Sequence, residues 1–172
     1  MHQSYADAFN KLEKTKSGIM ASVSKLTSEE YSRNRNNKWS VAEILTHILT
    51  SERLALSYMR KKYLGADQLA DSSWLEPSKL LVLKISQRLP FRYTAPRSIV
   101  DKTPEAMTFA ELSTEWSKVR IELRDFLDSI PDKHVKRKFF KHPIAGMFNA
   151  SQGIVFLREH IIHHTPQIRR YL

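Results

Sequence analysis

The chain has 172 residues, 41% of them hydrophobic, a net charge of +10 and no cysteine. That length suits a single domain, residues 1–172, and is enough to bury a real core, so a charged coil is excluded. Without cysteine there is no disulfide, no thiolate metal site and no cysteine nucleophile.

Only four glycines are present, and long stretches carry no proline. A sandwich or barrel needs many turn signals, so helices are expected instead. The opening stretch MHQSYADAFNKLEKTK lacks the apolar core of a signal peptide. No apolar run approaches a membrane span. The expectation is a soluble, cytoplasmic protein with no membrane contact.

The first helical segment is expected from about Ser4 to Leu26. Its stripe is Tyr5, Phe9, Leu12, Ile19, Val23 and Leu26, with Lys16 at the one polar step. Steps near three and four are the period of a bundle helix.

The second opens at KWSVAEILTHILTSERLALSYMRKKYLG. Ser40 and Glu43 form a capping box, hydroxyl to backbone N–H and carboxylate back to the cap. Val41, Ile44, Ile48, Ala55 and Met59 make its apolar side. Gly65 stops it, with Arg60, Lys61 and Lys62 well placed against the helix dipole.

A long connection follows, from Gly65 to Pro104, broken by Pro77, Pro90, Pro96 and Pro104. SKLLVLKISQRL within it reads as a short helix. A connection of this length in one domain is expected to be a lid or a crossover.

The third long helix starts at the Thr108/Glu111 box. Phe109, Leu112, Trp116, Val119, Leu123, Phe126 and Ile130 follow in a regular alternation of three and four that stops before Pro131. The fourth begins near Asn149, with Gln152 three residues on, and runs to about Tyr171. Pro166 lies inside it and should bend or loosen the last turn. The fold class expected is all-α: a four-helix bundle with a long crossover between the second and third helices.

Seven histidines are spread along this frame. At about 100° per residue, His160 and His164 fall about 40° apart, on the side of Leu157, Ile161, Ile168 and Tyr171. They point inward. His47 shares the apolar arc of the second helix with Ile44, Ile48, Ser51 and Tyr58. Buried imidazoles need hydrogen-bond partners or a metal. Two histidines at i and i+4 hold one metal from a single face, and a third from a facing helix completes a three-histidine site with an open position. A polar core histidine is the plainer reading of any one of them. His163 is the rival ligand but lies nearer the edge. His134 falls in the basic loop KHVKRKFFKH, and His142 precedes Pro143, where positioning of the loop is expected. Ser51 and Tyr58 are candidate lining groups.

Two stretches, KWSVAEILTHI and HPIAGMFNASQGIVFLREHIIHHTPQI, resemble the DinB/YfiT-like superfamily. The matching features are the Trp39-Ser40 opening with His47 beyond it, the His142-Pro143 and Gly146 turn, and the closing HxxxH followed by Gln167-Ile168. The resemblance implies a four-helix bundle with a divalent metal on His47, His160 and His164, nickel or zinc being typical. It implies a small-molecule partner: better-understood relatives are bacillithiol transferases and mycothiol-dependent isomerases, in which the metal activates a low-molecular-weight thiol. It also implies a homodimer. A metal-dependent transferase is therefore the first expectation, and a non-enzymatic metal-binding or dimerising bundle the second. Nucleic acid is not an expected partner: the charge is scattered and no recognition motif occurs.

Overall fold

The computed structural model describes residues 1–36, 38–88, 105–142 and 145–172. Four long helices carry the fold: α1 (Gln3–Val23), α3 (Val41–Tyr63), α5 (Phe109–Asp128) and α6 (Ala150–Arg169). Two shorter ones, α2 (Ser28–Ser32) and α4 (Leu75–Arg88), lie between them.

Cross-helix contacts fix the directions. Arg53 pairs with Glu115 at 2.7 Å and Arg60 with Glu122 at 2.9 Å, so residue numbers rise together and α3 runs parallel to α5. Ser151 donates to Ser4 O, and Arg158 to Thr15 Oγ1, so α1 and α6 are also parallel. His47 meets His164 while Trp39 meets Tyr171, so α3 and α6 are antiparallel. Parallel neighbours in consecutive order need a long crossover, which is what Leu64 to Thr108 provides.

Each start follows from its cap. Ser40/Glu43, Thr108/Glu111 and Asn149/Gln152 all form complete capping boxes. A fourth, Thr27/Glu30, restarts the chain as α2. It corrects the first segment: α1 ends at Val23, three residues short of Leu26, and Thr27 starts a new helix by accepting from Glu30 N. The stripes go inward as their spacing requires. Tyr5, Phe9, Leu12, Ile19, Val23, Val41, Ile44, Ile48, Met59, Leu112, Trp116, Val119, Leu123 and Phe126 are buried in one cluster.

The bundle also carries a short antiparallel hairpin, which helical periodicity could not reveal. β1 (Phe140–His142) pairs with β2 (Gly146–Phe148), Phe140 opposite Phe148. Gly146 sits at φ +85°, a backbone angle that favours glycine. A side chain at Gly153 of α6 would meet Phe140 Cγ at 2.8 Å, so the bare backbone there seats the hairpin on the helix.

The start of the crossover is tied down. Ser72 N donates to Lys136 O at 2.7 Å and Lys138 N to Ala70 O at 3.0 Å. His134 bonds the Tyr63 hydroxyl at 2.9 Å and Asp67 at 2.8 Å. His134 is therefore a buried clamp, not a loop residue facing water. α4 then packs against α6. Residues 89–104 of the expected lid or crossover lie outside the described residues. Pro166 does not end the last helix, which continues to Arg169.

Candidate metal centre

Ser40 caps α3, and two turns on the helix carries His47 into the core, 3% exposed. Directly across, α6 presents His160 and His164 on one face. The three ring centroids are 5.3, 5.1 and 4.7 Å apart. One nitrogen from each ring lies within 4.8 Å of the others, the one such group of three among the described residues. His163 is outside it. Its ring is 5.0 Å from that of His164, half-buried, on the flank.

The protonation states suit a cation. Burial, then the neighbouring histidines, hold His160 far below the ordinary imidazole value. Burial pushes His164 down to about 3, against the pull of Gln167. His47 is lowered by burial and then by His163. All three rings are neutral at pH 7, and each then carries one bare nitrogen.

Gln167 decides which nitrogen that is in His164. Its side-chain oxygen is 2.9 Å from Nδ1, so Nδ1–H donates and Nε2 is bare. That Nε2 faces His160 Nε2 at 3.1 Å. The distance is near what two nitrogens each about 2.0–2.1 Å from one ion require. It also suits a hydrogen bond between the rings, but that bond leaves His47 out: His47 Nδ1 is buried without a partner. A shared cation uses a lone pair from every ring. The residues present fit a three-histidine metal site.

The surroundings are aromatic. Phe156 stacks on His160, 6.0 Å between centroids and 10° between planes. Trp39 lies 5.2 Å from the His47 ring. Tyr171, buried, donates its hydroxyl to Trp39 O at 2.7 Å and locks the end of α6 onto the start of α3. His142 packs at 4.6 Å on Phe156, and its Nδ1 accepts from Ala145 N at 3.0 Å. Burial pushes it down to about 4, so the neutral ring braces the hairpin turn.

Of the two lining candidates, Ser51 stands one turn beyond His47 with its hydroxyl buried and unpartnered. Tyr58 is 37% exposed, three turns away, and does not line the centre. Sequence reasoning missed Phe156, which shares the face of His160 at i and i+4. It also missed the buried Glu52, five residues past His47, which takes hydrogen bonds from Trp116 Nε1 at 2.6 Å and Arg120 at 2.7 Å. Two cavities, of about 350 and 280 Å³, lie away from the histidines, one beside Tyr31 and one beside Arg124.

A protein-family model, described as the DinB superfamily, matches residues 11–168. No curated protein and no solved structure matches the chain.

Proposed function

The chain belongs to the DinB superfamily, and we propose that it is a metal-dependent enzyme of that superfamily, a transferase acting on a low-molecular-weight thiol. The ion would be held by His47, His160 and His164, with nickel or zinc the expected metals. One observation carries this reading: three neutral imidazoles from two helices, two buried and one half-buried, converge within 4.8 Å, and the buried Nδ1 of His47 has no partner.

Three neutral ligands leave a divalent ion its full charge, which would lower the pKa of a thiol or water at its open position. The chain has no cysteine, so a reacting sulfur has to arrive on a second molecule. Gln167 holds the His164 ring in one tautomer and one orientation. Phe156 stacks on His160 and Trp39 lies against His47, so both rings have an aromatic neighbour.

A structural metal site in a non-enzymatic bundle is the competing reading, favoured by the deep burial of His47 and His164. Calorimetric titration with a small thiol separates the two. The enzyme reading expects saturable binding to the metal-loaded protein and none to the metal-free form. A closed structural site binds no thiol in either.

A further inference from the structure

On the rim beside Trp39 stands an arginine that forms no ion pair among the described residues, though the Glu30 carboxylate is near enough to feel its charge. Arg35 lies in the turn between α2 and α3, and its guanidinium carbon sits 5.1 Å over the ring of Tyr171. Tyr171 is bonded through its hydroxyl to Trp39 O, and the Trp39 ring lies 5.2 Å from His47. Arg35, Tyr171 and Trp39 thus form one connected rim next to a metal ligand.

The side chains around the centre are most exposed on this side. Of the side chains whose rings touch the three histidines, Phe156 and His163 are half-buried, and Trp39 is 39% exposed.

The charge on the rim is free to act. Arg33, two residues earlier, is paired with Glu29. Arg35 has no carboxylate within 4.0 Å among the described residues. Two acids near it in sequence are already committed. Glu30 closes the Thr27 cap at 2.9 and 3.0 Å, and Glu43 accepts from Ser40 and Asn34. An arginine held by a ring and not by an acid keeps its five donors and its planar fork in place for a ligand. A single guanidinium fork matches a single carboxylate.

We propose that Arg35 and Trp39 are the specificity-determining residues of the centre, selecting a thiol that carries a carboxylate at the end away from its sulfur. Trp39 packs on the linking chain and Arg35 receives the anion. The inference rests on the metal and thiol reading given under Proposed function.

The test uses full-length, metal-loaded protein and calorimetry. ω-Mercaptoalkanoic acids of increasing length are titrated beside the ω-mercaptoalkanols of the same length, with bound metal measured in each sample. The acid is expected to bind about three- to ten-fold more tightly than the alcohol once the chain reaches the rim. That preference should shrink as salt is raised. Arg35→Ala should abolish it with metal content unchanged, and Arg35→Lys should keep part of it. Trp39→Ala should weaken acid and alcohol alike. Equal binding of acid and alcohol at every length, with metal in place, overturns the rim and leaves the metal centre standing. So does a preference that survives Arg35→Ala. Protein that takes up no metal, or that binds neither series, overturns the functional reading and this inference with it.

Discussion

The side-chain oxygen of Gln167 stands 2.9 Å from Nδ1 of His164, one helical turn away on α6. This contact leaves the other nitrogen of His164 bare, facing His160 Nε2 at 3.1 Å. His164 has Gln167 as a side-chain partner, whereas the Nδ1 atoms of His47 and His160 are buried without a hydrogen-bond partner.

Gln167→Ala should therefore weaken metal affinity by roughly 10–100-fold, the usual effect of removing an orienting partner. Gln167→Glu, which keeps an acceptor in place, should retain most of it. Competition with a chromogenic chelator gives both numbers. Unchanged affinity in Gln167→Ala would remove the orienting role.

Acid should destabilise the metal-free protein early. The native rings of His47, His142, His160 and His164 all have depressed proton affinities, caused first by burial. The unfolded chain protonates them near the ordinary value of about 6.5. Their folded values lie below the unfolded one, so stability is complete above that pH. It is lost as pH falls from there toward the folded values, about 4 for His142 and about 3 for His164. Each histidine adds up to about 1.4 kcal/mol per pH unit to the slope. Urea denaturation of metal-free protein between neutral pH and pH 5 measures it. Flat stability across that window contradicts the burial described. By the same sign, proton competition with the metal should set in below the ordinary histidine range.

Glu52→Ala should cost about 3–5 kcal/mol, because it removes the buried carboxylate that pairs with Arg120 and leaves the buried Trp116 N–H without its acceptor. Burial pushes the Glu52 carboxyl up, while Arg120 first, then Trp116 and Lys16, pull it back. Glu52→Leu combined with Arg120→Met should recover much of the loss, since Glu13, the second partner of Arg120, is half-exposed and can turn to water. Chemical denaturation checks the series. A loss under about 1 kcal/mol for Glu52→Ala would show that the network contributes little.

Much of this was legible in the residues. The capping boxes at Ser40, Thr108 and Asn149 and the alternation of three and four placed the long helices, because both signals are local. The same angular reckoning put His47, His160 and His164 inward, and they meet. The hairpin was missed because its strands have three residues each and no period to detect. Glu52, Arg120 and His134 were missed because a polar residue gains a buried place only through partners distant in sequence. Tyr58 was misplaced because a shared direction on a helix says nothing of the distance along it.

Metal content of the protein purified without an affinity tag tests the central claim most directly. One divalent ion per chain is expected in the wild type, with loss of that ion in both His47→Ala and His164→Ala while the helical signal is retained. A wild type that binds no metal, or full occupancy in both variants, contradicts it.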